Sequence, residues 1–169
     1  MSTTIQRALE IGSKATPTLT LSYNNKQLTV GEKVDKDVAS TPPRLALSVE
    51  AHQVLAVGVD IDAPFPSAAL LSPILHWIQP SFAKVSGGNT LEAHASALVD
   101  WLQPTPPPFS GPHRYVIILF KQPESFDSKA WTTKFSPPVG VWPRTHWDIE
   151  GFVQEAGLGD AIAANWFNV

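Results

Sequence analysis

Carboxylates and imidazoles gather in two short stretches of this chain. In VDIDAPFPSAALLSPILHWIQP, residues 59 to 80, Asp60 and Asp62 stand one residue apart at the end of an apolar run, and Pro64 breaks it. His76 follows inside a second apolar run, beside Trp77. In GPHRYVIILFKQP, residues 111 to 123, His113, Arg114 and Tyr115 lie between a stiff Gly-Pro bend and a β-branched, aromatic segment. These side-chain types suit proton transfer near neutral pH and the holding of a polar ligand. On a strand, residues i and i+2 share a face, so both carboxylates have a way into one cavity. His76, flanked by Ile74, Leu75 and Trp77, reads as buried and in need of a partner for its ring nitrogens. His113 falls where a rigid loop meets a sheet, and Ala63-Pro64 is a candidate cis bond.

The elements that must position these residues are mostly strands. Runs at 18–23, 45–50, 54–60, 74–79 and 115–121 are rich in Leu, Val, Ile and aromatics, and AIAANWFNV closes the chain as a further strand. Proline clusters at Pro42-Pro43, Pro106-Pro107-Pro108 and Pro137-Pro138 punctuate them. Residues 4 to 11 predict a short helix capped by Thr3 or Thr4 and stopped at Gly12. Asp148 predicts the cap of a helix bearing Ile149, Phe152, Val153 and Ala156, closed by Gly157. Leu91, Ala95, Leu98 and Leu102 keep helical spacing just before Pro104.

The 169 residues fit a single domain, 1–169, large enough for its own core. Without cysteine there is no disulfide, no thiol nucleophile and no thiolate metal site. A net charge of -3 without a basic run gives no footprint for nucleic acid. No segment approaches the ~20 apolar residues of a membrane span, so a soluble, cytoplasmic protein is expected. There is no GxSxG elbow for a Ser-His-Asp triad and no glycine-rich phosphate loop. Asp60, Asp62, His76 and His113 are metal-ligand types, yet no HxxxH or HxH spacing accompanies them. No metal and no cofactor are expected. His52, His94 and His146 read as solvated or loop residues, and Trp101, Trp131, Trp142, Trp147 and Trp166 as packing residues.

Taken in order, Asp60-Ile61-Asp62-Ala63-Pro64, Leu75-His76-Trp77 and Gly111-Pro112-His113-Arg114-Tyr115 resemble the phosphatidylethanolamine-binding protein family. That family includes Raf kinase inhibitor proteins, plant flowering regulators and a fungal carboxypeptidase Y inhibitor. The closing WDIEGFVQEAGLGDAIAANWFNV resembles its last helix and strand, and SALVDWLQPTPPPFSGPHRY is similar to fungal members. The resemblance runs from about residue 17 to the end. It implies a mainly β fold, a β-sandwich with short peripheral and C-terminal helices. It also implies a small pocket for phosphate-like or carboxylate-like anions, built from Asp60, Pro64, His76, Trp77, His113 and Tyr115 with Pro106 and Pro107 beside them. Asp62 and Arg114 become a structural pair, and residues 91 to 102 become irregular chain in place of a helix.

The chain departs from the family pattern in three places. Ile61 replaces a proline, FPSAA lacks the basic residue that follows the Ala-Pro, and Thr105 stands where Pro or Gly is usual. The missing cation removes one favourable interaction for a dianion, and Phe65 is expected to add apolar wall. Two classes of function fit. One is a binding module for a small organic or phospho-ligand that also docks on a partner protein, as an inhibitor of a protease or kinase does. The other is a cofactor-independent lyase, isomerase or cyclase of fungal secondary metabolism, with Asp60, His76 and His113 as acid-base groups. On either reading, Asp60 and His76 are expected to act as a coupled pair.

Overall fold

The computed structural model describes residues 1–14, 16 and 18–169. Two antiparallel sheets carry the fold. The smaller takes β1 (Leu19–Tyr23), β2 (Lys26–Gln27) and β3 (Arg44–Leu47) in the order β2-β1-β3. The larger takes β4 (Val54–Asp60), β5 (Ile74–Lys84), β6 (Leu91–Ala93), β7 (Arg114–Lys121) and β8 (Ala161–Asn168) in the order β6-β5-β4-β7-β8. Three α-helices among the described residues complete it: α1 (Thr3–Gly12), α2 (Ser128–Phe135) and α3 (Ile149–Glu155).

Strand β4 is the middle of the larger sheet and is buried along its whole length, which is why VLAVGVD shows no polar alternation. Its two faces serve two cores. Leu55, Val57 and Val59 meet Ile5 and Ala8 of α1 and Phe152 of α3. Val54 and Ala56 meet Leu19 and Leu21 of β1 and Leu45 and Leu47 of β3. The small sheet therefore covers one face of the large sheet and the helices cover the other, the mainly β sandwich that the resemblance implies.

Four of the strand windows, 18–23, 45–50, 54–60 and 115–121, fall on β1, β3, β4 and β7. The window 74–79 stops short. Strand β5 continues past Pro80 to Lys84 because the register against β4 shifts there, and a bulge tolerates a residue without an N–H. The cap of α1 is Ser2, whose hydroxyl accepts from the Ile5 N–H, and not Thr3 or Thr4. Gly12 does not stop α1 but sits in its last turn. A Cβ there would lie 2.8 Å from Trp166 Cζ3, so the missing side chain lets α1 lie on β8.

The helical spacing of residues 91 to 102 does not produce a helix. Leu91–Ala93 pairs with β5, and the chain beyond it returns to the edge of β5, where Leu98 N–H donates to the Ile78 carbonyl and Ile78 N–H to that of Val99. An open strand edge wins over local periodicity. Helix α2 was not anticipated. Its signal is Phe126-Asp127 followed by Trp131: Asp127 caps the N–H groups of Lys129 and Ala130, while Phe126 stacks on Trp131 as a hydrophobic staple. Asp148 caps α3 as expected, and Gly157 follows with a φ of 64°.

Candidate ligand-binding cleft

His76 owes its position to a bulge. Gly58 pairs with Trp77 and Val59 with Leu75, leaving His76 as the extra residue of β5. Leu75 and Trp77, which a regular strand would place on one face, therefore point into opposite cores. The His76 ring meets Tyr115 edge-on, 5.0 Å between centroids. Its Nδ1 lies 2.6 Å from the Leu102 carbonyl, and Leu102 N–H returns a bond of 2.8 Å to the His76 carbonyl. A carbonyl only accepts, so Nδ1 carries the proton and Nε2 is left with its lone pair. Burial pushes the His76 pKa down, more than the Leu102 carbonyl and the Asp60 charge pull it up, and the Arg144 charge adds to the fall. His76 is neutral at pH 7.

Asp60 is the last residue of β4, opposite Tyr115 of β7 and Ile74 of β5. One carboxylate oxygen accepts from the Asp62 N–H at 2.8 Å and the other from His113 Nδ1 at 2.8 Å. The acid therefore hydrogen-bonds His113, while on His76 it acts through its charge alone. His113 is 1% exposed, and its backbone is tied in both directions to Val169. Its Nε2 is buried and has no hydrogen-bond partner. Burial, reinforced by the Asp60 charge, holds the Tyr115 phenol above its ordinary pKa, so its hydroxyl stays a donor.

These groups converge on a cleft of about 180 Å³ at the open end of the large sheet. Asp60, Pro64, His76, His113 and Tyr115 line it, and Pro106 and Pro107 form one wall with Thr105. Among the sequence-predicted ligand contacts, Trp77 is not there. It is buried between the sheets against Phe82 and Trp101, because the bulge turns it inward. Phe65 is not a wall either, since it projects outward from the loop. The Ala63-Pro64 bond is cis. A wider groove of about 440 Å³ lies between α1 and α3, around the Arg7–Asp160 ion pair, and contains none of the imidazoles.

Asp62 does not share the cavity with Asp60, because the alternation ends where β4 ends. Its carboxylate accepts from Arg114 three times: from the backbone N–H at 2.9 Å, from Nε at 2.8 Å and from Nη2 at 2.7 Å. Burial works to raise the Asp62 pKa, but the Arg114 hydrogen bonds and charge outweigh it and hold the carboxyl below its ordinary value. The pair locks the β4 exit to the β7 entry. His113 and Tyr115 flank Arg114 and are thereby aimed at the cleft.

Arg144 escaped the sequence reading. Its guanidinium is buried and donates to the carbonyls of Val139, Leu75, His76 and Asp100. These belong to the loop that carries Val141 into the cleft, to the His76 bulge and to the segment leading to Leu102. One cation thus joins three walls, and burial lowers its pKa. The lone arginine of VWPRTHW offers no pattern that announces this. His146, read from sequence as a loop residue, also holds loops together, through Nε2 to the Leu70 carbonyl at 2.6 Å and its N–H to that of Leu71.

A family model for phosphatidylethanolamine-binding protein matches residues 12–168. Phomoidride biosynthesis cluster protein N of Talaromyces stipitatus is 39% identical over 99 residues, 56% of this chain and 48% of that protein, so the match spans about half of that relative. Protein TERMINAL FLOWER 1 of Arabidopsis thaliana is 31% identical over 161 residues, covering 90% of this chain and 80% of that one. Carboxypeptidase Y inhibitor of Saccharomyces cerevisiae is 48% identical over 73 residues, 43% of this chain and 33% of that protein. The solved structure of carboxypeptidase Y inhibitor complexed with its cognate proteinase superposes with a TM-score of 0.69 at 20% identity, covering 90% of this chain and 83% of that one. With the sandwich, the ordered motifs and the cleft at the end of β4 all in place, the chain belongs to the phosphatidylethanolamine-binding protein family.

Proposed function

We propose that this protein binds a small organic anion in the cleft between Asp60, His76, His113 and Tyr115. The observation that carries this reading is the orphaned Nε2 of His113, buried at the cleft and backed by Asp60 through Nδ1. A buried imidazole nitrogen without a partner is costly unless a ligand supplies one. As the anion enters, Nε2 takes up a proton from water and Asp60 balances the imidazolium, so the ligand carboxylate faces a charged donor beside the Tyr115 hydroxyl. His113→Ala should lower the affinity for butanoate by ~10-fold or more in calorimetry while the fold persists. Unchanged affinity would remove His113 from the ligand and end this reading.

A second reading adds chemistry. An Asp-backed imidazole is also a general base, and the relative named for a biosynthesis cluster favours a proton-transfer role of the lyase, isomerase or cyclase kind. Turnover that falls ~10²-fold in His113→Ala and in Asp60→Asn would separate it from simple binding. Docking on a protease, raised by the carboxypeptidase Y inhibitor, draws on fold likeness and on a match to a minority of the chain.

A further inference from the structure

The walls of the cleft continue outward into an apolar rim that the cleft itself does not use. Leu70 follows the loop from Pro64 and precedes the lining residue Leu71, and it is 75% exposed. Trp142 follows the lining residue Val141 and is 78% exposed. Phe109 stands two residues beyond the lining residue Pro107, is fully exposed, and takes a φ of 65°, where bulky residues are strained. Phe65, next to the lining residue Pro64, is also exposed. A tryptophan and a phenylalanine held in water with so little packing cost the folded chain solubility and return it no core.

Each rim residue is one or two positions along the chain from a residue that lines the cleft, which places these exposed side chains on the loops around its mouth. The cleft of about 180 Å³ is smaller than the ~300 to 1,000 Å³ of pockets that enclose a whole drug-sized ligand. It has room for a head group. The loops at the mouth, which anything attached to that head would meet, carry the exposed Leu70, Phe109 and Trp142.

Charge decides among occupants. The three loops at the mouth, residues 64–73, 103–112 and 139–145, contain no acidic residue and no basic residue except Arg144. Arg144 is buried, does not line the cleft, and holds the loop carbonyls through Nε and Nη1. A membrane-docking face gains from Lys or Arg at the headgroup level, and a dianionic phosphate gains from a free cation, and the mouth offers neither. An uncharged apolar rim around a proton-accepting head site suits one molecule that is acidic at one end and aliphatic along the rest.

We infer that the ligand is an amphiphilic monocarboxylic acid of medium chain length, its carboxyl at His113 and its aliphatic body on Leu70, Phe109 and Trp142. This rests on the binding reading above and adds the ligand class and the residues that select it. Because burial of a methylene is worth about fourfold in affinity, binding should tighten steeply along butanoate, hexanoate, octanoate and decanoate once the chain reaches the rim. Inorganic phosphate should bind more weakly than hexanoate.

The test combines calorimetry with this series and imidazole ¹⁵N spectra of the whole protein, together with the rim variants Phe109→Ser and Trp142→Ser. These side chains are exposed, so the variants should keep the wild-type melting curve. The expected result is a gain of ~10-fold or more from butanoate to octanoate in the wild type, lost in the doubly substituted protein, with butanoate affinity unchanged in both. Carboxylates that shift the His113 resonance without any gain from chain length would overturn the inference and leave the head-site reading standing. Carboxylates that shift no imidazole resonance would overturn both. Co-sedimentation with neutral phosphatidylcholine vesicles, abolished by the rim variants while the free acids show no chain-length gain, would assign the rim to a membrane and overturn the inference as well.

Discussion

Two imidazoles face one cleft, and their hydrogen-bond partners give them different work. The Leu102 carbonyl fixes His76 as a neutral ring with a bare Nε2, whereas Asp60 gives His113 a carboxylate that can balance a proton. Asp60→Asn keeps the shape but removes that balance, so butanoate affinity should fall by ~10- to 100-fold while the melting temperature changes little; equal affinity in calorimetry would detach Asp60 from binding. Arg144→Met should act differently. It strips the donors from buried carbonyls in three walls and should cost about 2–3 kcal/mol in urea unfolding, together with weaker ligand binding. Residue types and their order single out Asp60, His76, His113 and Tyr115, which line one cleft, since Asp, His and Tyr beside proline bends stand out in apolar runs. Which imidazole the carboxylate holds depends on one extra residue in β5, and ILHWIQ reads the same with or without a bulge.

At the scale of elements, the cleft exists because β4 ends at Asp60 while β7 begins at Arg114, and the Asp62–Arg114 pair binds exit to entry. Arg114 is 39% exposed on its side chain and Asp62 is 3% exposed, so the pair is half open to water. Arg114→Leu leaves the buried carboxylate only the backbone N–H of residue 114 and should cost about 2–3 kcal/mol, below the ~3–5 of a fully buried pair because solvent screens the guanidinium. Thermal unfolding would show the loss; an unchanged melting curve with lost ligand binding would make Arg114 a ligand contact and not a brace. A similar balance applies to α1 on β8. Gly12→Ala gains ~1 kcal/mol of helix propensity but drives a Cβ against Trp166 and the Ala164 carbonyl, an overpacking that costs ~1–3, so a small net loss of stability is expected. Strand runs declare themselves through β-branched residues. The helical spacing of residues 91 to 102 misleads because the edge of β5 needs those backbone groups more than they need one another.

For the whole molecule, acid should be the weak side of the stability curve. His76 has a folded pKa below its unfolded value, so the unfolded chain binds the extra proton first and stability falls as pH drops below about 6.5. Asp62 also has a lowered folded pKa, and its contribution is complete above about 4 and is lost as pH falls through the folded value. Urea unfolding from pH 8 to 3 should show both losses, and His76→Gln should flatten the earlier one. The sandwich that buries both groups was legible from the ordered motifs, while the apolar rim was not, because exposure of Phe109 and Trp142 is a property of loops and not of spacing. The measurement that bears hardest on the cleft is a ¹⁵N spectrum of the His76 and His113 rings, free and saturated with hexanoate. Both rings should carry their free-state proton on Nδ1, and saturation should convert His113 to the doubly protonated imidazolium and leave His76 neutral. A free protein with the proton on Nε2 of either ring, or a His113 signal indifferent to saturating hexanoate, would contradict an Asp60-backed His113 as the acid-binding group of the cleft.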